Sequence, residues 1–241
     1  MPFAALPGEF GATRLVARRI GAHIMSRVRK TAVGRIDLAP FPGGFGTPSF
    51  GPEHLVLRIS GGWLIVERSS GAVSTKSLPV NGATLAELAE LAGADLAANL
   101  DVGHDTPPLG DIDEPMVFDA ASATLLGNWF AFGLQAIDHV VALQPVTAEP
   151  TRARIWPEHF DLGIDLAAAG GSRLNLGASP GDEYHDAPYL YVSPWDSARP
   201  GDAAYWNAPF GAVLGYDEIS AAPSALQAGI DFMNEGLARL A

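Results

Sequence analysis

Two short segments in the second half of the sequence hold the side chains best suited to metal binding or proton transfer. The stretch IWPEHFDLGID contains His159 and Asp161, and the later stretch DEYHD contains Glu183 and His185. Imidazole and carboxylate groups are ligands for Mn, Fe(II) and Zn, so a site of two histidines and one carboxylate could be assembled from these four. Without a metal, the same groups could serve as an acid and a base. A divalent metal is the one cofactor that the sequence suggests.

A strand would bring the polar groups of the first segment to one side. If residues 155–165 form a strand, alternation places His159, Asp161 and Asp165 on one face. No compact metal motif such as H-E-x-x-H is present, so the metal site depends on DEYHD lying beside this strand. The competing interpretation is a polar strand face next to an acidic loop. The opposite face of the strand would be apolar, with Trp156, Phe160, Leu162 and Ile164.

Aromatic residues gather in the same part of the chain. All five tyrosines lie there together with three tryptophans, and aromatic walls with a few carboxylates suit a pocket for a small organic or sugar-like ligand. Aromatic residues at alternating strand positions are also typical of a core, so Tyr189 and Tyr191 could instead pack beneath a helix. The candidate ligand-binding residues are Trp156, His159, Asp161, Glu183, His185, Tyr191, Trp195, Trp206 and Asn207.

A serine nucleophile is not expected, although GASPG matches the G-x-S-x-G pattern with Ser179 at the serine position. In a nucleophile elbow the residue after the serine lends its backbone N–H to the oxyanion hole. That residue is Pro180 here, which has no N–H to donate. The motif therefore predicts a turn.

The composition is that of a folded protein without cysteine chemistry. The 241 residues are 48% hydrophobic and 17% charged and include no cysteine, which excludes disulfides, thiolate nucleophiles and iron–sulfur clusters. No apolar run is long enough to predict a membrane span, and the N-terminal residues lack the pattern of a secretory signal. We therefore expect a soluble cytoplasmic protein with no membrane partner.

The charge is divided unevenly along the chain. Residues 1–80 carry a net charge of +6, whereas residues 81–241 carry a net charge of −18. An acidic body repels polyanions, so nucleic-acid binding is disfavoured and would depend on the predicted basic helix 14–30. The basic face of that helix is either a solvated surface or a docking site for a protein partner. Its charged residues are Arg14, Arg18, Arg19, Arg27, Arg29 and Lys30.

The order of elements is similar in the two halves of the sequence. The basic helix precedes strand-like runs with turns at Gly61-Gly62 and Ser70-Gly71, followed by a helix predicted over 84–100. An apolar helix from Asp119 precedes four strand-like runs and a final helix from Ser224. We predict one α+β domain over 1–241, with antiparallel sheets packed against about four helices. A pseudo-duplication of halves 12–100 and 118–241, joined by a polar, proline-rich linker 101–117, is a further hypothesis.

Several of these segments resemble an uncharacterised bacterial family classed as a domain of unknown function. The resemblance lies in RVRKTAVGRIDLAPFPGG, EHLVLRISGGWLIVE, WPEHFDLGIDL, PYLYVSPWD and APFGAVLGYDEI, which span most of the chain. It includes the Phe160-Asp161-Leu162 run and the loop that contains His185. Because that family has no assigned activity, the resemblance implies no catalytic residues, but it implies a single unit across the chain.

Three classes of function stay open from the sequence. The first, which we favour, is a protein that binds a small molecule at 155–165 and 179–195. The second is a metal-dependent enzyme that uses His159, His185 and nearby carboxylates. The third is an interaction module that uses the basic helix. The sequence does not decide between catalysis and binding, and it leaves a homo-oligomer open.

Overall fold

The computed structural model of the chain describes residues 5–99, 102–103, 105–197 and 199–241. Within these residues lie two five-stranded antiparallel sheets and six α-helical segments. The first two helical segments are joined without a break by a π-helical segment, so they form one long helix. The predicted α+β class is confirmed.

Both sheets are meanders in which every pair of neighbouring strands is consecutive in the chain. Gly61 and Gly62 form the turn between the third and fourth strands with φ of 57° and 83°, as a two-residue hairpin turn requires. The next turn spans residues 69–73 and is longer than predicted. The first sheet contains β1 (Ala39–Phe41), β2 (Gly44–Gly46), β3 (Val56–Ser60), β4 (Trp63–Arg68) and β5 (Ser74–Pro79). The second contains β6 (Arg154–Trp156), β7 (Asp161–Ala167), β8 (Arg173–Ser179), β9 (Tyr189–Pro194) and β10 (Ala212–Gly215).

The helices begin where the sequence supplies capping side chains. Thr84 and Glu87 form the predicted capping box, and Asp119 accepts a hydrogen bond from the backbone N–H of Ser122 at 2.7 Å. Ser224 accepts one from the backbone N–H of the third residue of its helix. The segments are α1 (Phe10–Ile20), the π-helical segment (Gly21–Ser26), α2 (Arg27–Val33), α3 (Leu85–Ala92), α4 (Ala120–Val141), α5 (Tyr216–Ala221) and α6 (Ala225–Arg239).

Two predicted boundaries are wrong, each for a local reason. The helix predicted over 84–100 ends at Ala92 because Gly93 adopts a left-handed conformation with φ of 76°, a common way for a helix to stop. Leu100, the last residue of the predicted helix, lies outside the described residues. The last of the four strand-like runs, FGAVLGYDEI, is a strand only in part, because β10 ends at Gly215 and α5 begins at Tyr216.

The order of elements recurs once along the chain. A long helix precedes each five-stranded meander, and a helix follows it. This recurrence fits the hypothesis of a pseudo-duplication. In the part of the chain that the structure describes, no helix is both long and apolar enough to cross a membrane.

The chain divides into two compact units at a different place from the expected linker. The first unit consists of Leu6–Phe130 and Ile155–Phe160, and the second mainly of Ala131–Arg154 and Asp161–Ala241. The described residues of 101–117 therefore lie inside the first unit, whereas the chain passes from one unit to the other within α4. The meander strands β1–β5 belong to the first unit, and β7–β10 belong to the second.

The basic residues of the first helix bind irregular chain in the first unit. Arg27 and Arg29 are buried, and Arg18 and Arg19 are half-buried. Their guanidinium groups donate hydrogen bonds to backbone carbonyl oxygens that no helix or strand of the described residues satisfies, most of them in segment 95–111. The acceptors are Asp105 for Arg18, Leu109 and Asp111 for Arg19, Asp95 and Ala98 for Arg27, and Asp37 for Arg29.

A solvated basic face is therefore the wrong interpretation of Arg18, Arg19, Arg27 and Arg29. Arg29 also pairs with the carboxylate of Asp37 at 2.8 Å. Burial alone would raise the pKa of Asp37, but hydrogen bonds from Arg35 and Arg29 outweigh it and lower that pKa. The helical period of 14–30 predicts an apolar face of Leu15, Ile20, Ile24 and Val28, but Leu15 is exposed.

We predict that Arg27→Ala destabilises the protein by about 2 kcal/mol, because the carbonyl oxygens of Asp95 and Ala98 lose a charged donor. Urea denaturation measures the change, and hydrogen exchange should accelerate in segment 95–111. Arg68→Ala is the matched control, since Arg68 forms an exposed pair with Glu53 and such pairs contribute about 1 kcal/mol or less. Equal stability of the two variants would contradict the prediction.

Candidate ligand-binding face

One face of the second sheet carries the polar and aromatic side chains of β7, β8 and β9. Alternation places apolar residues on the other face, which packs on helices: Gly133 of α4 lies against Ala178, and Gly229 of α6 lies against Leu190. We call the side with the polar and aromatic residues the aromatic face. It consists of Asp161, Gly163 and Asp165 on β7, Arg173, Asn175, Gly177 and Ser179 on β8, and Tyr189, Tyr191 and Ser193 on β9, followed by Trp195.

Tyr191 lies flat across two neighbouring strands of this face. Gly177 is directly opposite Tyr191, and Gly163 is directly opposite Gly177. A Cβ added at Gly177 would be 2.2 Å from the Cζ atom of Tyr191, so only glycine leaves room for the ring. The hydroxyl group reaches β7 and donates a hydrogen bond to Asp161. Burial raises the pKa of Tyr191 and the Asp161 carboxylate raises it further, so the hydroxyl stays protonated and remains a donor.

Tyr189 and Asp182 organise the loop between β8 and β9. The Tyr189 hydroxyl donates to Asp182 at 2.5 Å, and burial and this bond raise the pKa of Tyr189. The other carboxylate oxygen of Asp182 accepts the backbone N–H groups of Tyr184 and His185 at 2.9 and 3.2 Å. The turn predicted at GASPG is wrong for Gly177–Ser179, which are the last residues of β8, and Ser179 Oγ accepts the backbone N–H of Gly181 at 3.1 Å where the loop begins. Asp182 therefore stabilises the conformation of the loop between β8 and β9.

Trp195 is held in place at the other end of the face and remains exposed. Its indole N–H donates to the Oδ1 atom of Asn175 at 3.0 Å, and the Arg173 guanidinium lies 5.4 Å from its ring centroid. Arg173 in turn forms a two-bond ion pair with Asp165. In spite of these contacts, 63% of Trp195 is accessible to solvent. An aromatic ring that is both fixed and exposed is suited to ligand contact.

The stretch IWPEHFDLGID is not one strand. β6 ends at Trp156, residues 157–160 form a turn, and β7 begins at Asp161. Phe160 is buried with a left-handed φ of 59°, and its ring contacts Phe45 and Phe130 at centroid distances of 5.0 and 5.5 Å. The continuous strand predicted for 155–165 is therefore wrong, whereas Asp161 and Asp165 do share a face.

Two of the candidate residues belong to the first unit. His159 is exposed in the turn, with its Nδ1 atom 3.4 Å from a carboxylate oxygen of Asp105. Trp156 is half-buried at the end of β6, and its carbonyl accepts the backbone N–H of Phe160. In the turn 157–160, the backbone carbonyl of Glu158 accepts hydrogen bonds from the Arg18 guanidinium.

Glu183 and His185 are exposed in the loop after β8. The Nδ1 atom of His185 lies 2.9 Å from the carbonyl oxygen of Ala187, and its ring meets Tyr189 edge to face at 6.1 Å. Among the residues that the structure describes, no group of three or more His, Asp or Glu is arranged to hold a metal ion. The candidate metal ligands His159, Asp161, Glu183 and His185 therefore do not come together as such a group.

Trp206 and Asn207 hold the segment between β9 and β10 in place. Asn207 is exposed, and its amide both donates to the carbonyl of Val213 at 3.0 Å and accepts its N–H at 2.8 Å. Trp206 donates its indole N–H to Pro200 at 2.9 Å and lies beneath the Arg199 guanidinium. Both side chains bond to nearby backbone groups, so in the structure they stabilise the connection between β9 and β10.

Sequence reasoning missed Arg173 and Asn175 as members of the face, and it placed Asp182 in the adjoining DEYHD loop without making it a candidate ligand-binding residue. The sequence contains a pattern that could have identified Arg173 and Asn175, because they alternate with leucines in SRLNLGAS and so share the polar face of a strand. Their importance depends on β8 lying between β7 and β9, which only the topology shows. Of the nine candidate residues, the structure brings Asp161, Tyr191 and Trp195 onto one face, with Glu183 and His185 in the adjoining loop.

No family model, curated protein or solved structure matches this chain. The resemblance to the uncharacterised bacterial family stays a prediction.

We predict that Gly177→Ala destabilises the protein by about 1–3 kcal/mol, because the new methyl group displaces the Tyr191 ring. The cost should be smaller when Tyr191→Ala removes the ring, and a double-mutant cycle in urea measures this coupling. Gly11→Ala serves as the control, since an added Cβ there has nothing within 4 Å and the residue is helical. If Gly177→Ala proves as harmless as Gly11→Ala, the flat placement of Tyr191 is contradicted.

Proposed function

We propose that this protein binds a small organic molecule on the aromatic face of its second sheet. The observation that carries the proposal is Trp195, whose ring is fixed by Asn175 and Arg173 while 63% of the residue stays exposed. Holding an aromatic ring in place before binding lowers the entropy cost of association. Small-molecule sites typically combine such an apolar surface with a few oriented polar groups.

The neighbouring residues supply those polar groups in fixed positions. The Asp165–Arg173 pair is fixed by two hydrogen bonds, and Asn175 is fixed by Trp195. At the centre of the face, Tyr191 is held by its two opposing glycines and by Asp161. These planar groups lie on three adjacent strands, which are more rigid supports for a site than loops.

Metal-dependent catalysis is not part of this proposal. Among the residues that the structure describes, none of the four candidate ligands has two other His, Asp or Glu side chains arranged with it around a metal position. The basic-helix alternative is also not adopted, because four of its arginines are engaged with loop carbonyls and Asp37.

The test is a saturation-transfer NMR screen of the full chain against four ligand classes: neutral sugars, organic cations, nucleosides and aromatic acids. We expect at least one class to bind the native protein and to lose its signal with Trp195→Ala. Trp63→Ala is the matched control, because Trp63 is another exposed tryptophan, at 45%, but lies on β4 of the first sheet. Failure of every class to bind, or equal binding by the Trp195→Ala variant, would overturn the proposal.

A further inference from the structure

We propose that the ligand of the aromatic face is a neutral polyhydroxylated ring, a sugar or cyclitol, that stacks on Trp195. This inference rests on the proposed function and specifies its ligand class. Three features of the surface around Trp195 support it: the orientation of the indole, the balance of charge, and the hydrogen-bonding groups beside the ring.

The indole of Trp195 presents one free face. Its backbone N–H pairs with the carbonyl of Arg173 at 3.0 Å, and its indole N–H bonds to Asn175, so both ends of the residue are tied to β8. The guanidinium of Arg173 lies over the ring at 5.4 Å from its centroid and covers one side. With 63% of the residue exposed, the other side faces solvent. One side of a pyranose ring presents C–H groups, which carry the partial positive charge that the face of an aromatic ring attracts.

The surrounding charge favours a neutral ligand. Arg173 already places a positive charge on the indole, so a second cation stacking on the same ring would meet a like charge. An anion would be repelled by Asp165, whose carboxylate is bonded to Arg173, and by Glu149, which lies 4.0 Å from that guanidinium. A ligand without net charge avoids both repulsions.

Groups that bind hydroxyls surround the open face. Sugar hydroxyls donate and accept at the same time, so they are best bound by planar side chains that offer both functions side by side. Asn175 uses its carbonyl oxygen on Trp195, which directs its NH2 group to another acceptor. Asp165 offers the remaining lone pairs of its carboxylate oxygens, and Arg173 offers its Nη1 group, which its two bonds to Asp165 do not use. A vicinal diol placed on Trp195 would meet donor and acceptor groups together.

The experiment titrates the full chain, by calorimetry and saturation-transfer NMR, with methyl β-glucopyranoside, methyl α-mannopyranoside, methyl β-galactopyranoside and myo-inositol. Tetramethylammonium, benzoate and adenosine are the probes for the competing classes. We expect at least one polyhydroxylated ring to bind, with NMR enhancement on its ring C–H protons. Trp195→Ala should raise its Kd by about tenfold or more, equivalent to about 1.4 kcal/mol.

Two further variants keep the test interpretable. Trp195→Phe retains a stackable ring and should bind more tightly than Trp195→Ala, whereas Trp63→Ala should bind as the native chain does. Binding of tetramethylammonium, benzoate or adenosine at Trp195 without any polyhydroxylated ring would overturn the sugar assignment and leave the proposed function standing. Absence of binding by every probe would overturn both, and so would sugar binding that Trp195→Ala leaves unchanged.

Discussion

The pleat of the second sheet is the constraint on which the rest of its chemistry depends. Successive residues of an antiparallel strand point to opposite faces, and here one face is committed to packing on α4 and α6. Every polar or bulky aromatic group in β7, β8 and β9 must therefore share the remaining face. The meander order then places residues from three strands side by side without any long connection. A binding surface arises as a consequence of the same alternation that builds the core.

Glycine determines how that surface is shaped. Gly163 and Gly177 face each other across β7 and β8, and the space that their missing side chains leave is filled by the ring of Tyr191. Because the ring lies along the sheet instead of standing upright, its hydroxyl reaches Asp161 two strands away. This contact ties β9 to β7 through β8 and makes the centre of the face rigid. The fixed Trp195 at one end thus belongs to a continuous, well-supported surface.

The sequence was informative where a local rule decides the structure and uninformative where distant segments meet. Capping residues and glycine turns located most helices and the first hairpin, because these depend on a few adjacent residues. The same rules could not place His159, since the left-handed conformation of Phe160 depends on its burial against Phe45 and Phe130. Asp161 and Tyr191 were both identified as candidates, but their hydrogen bond follows from strand order. Asn175 and Arg173 gained a role only through Trp195.

The basic helix shows why a charge pattern alone does not identify a partner. Backbone carbonyl oxygens need donors, and the described part of segment 95–111 forms no helix or strand that could supply them. Arg18, Arg19 and Arg27 supply these donors from a regular helix, and a guanidinium can serve several carbonyls at once. The positive charge of residues 1–80 is thus explained in large part by the packing of the first unit. An arginine-rich helix beside a long irregular segment should first be examined as internal support, because the unsatisfied carbonyls provide a partner within the same chain.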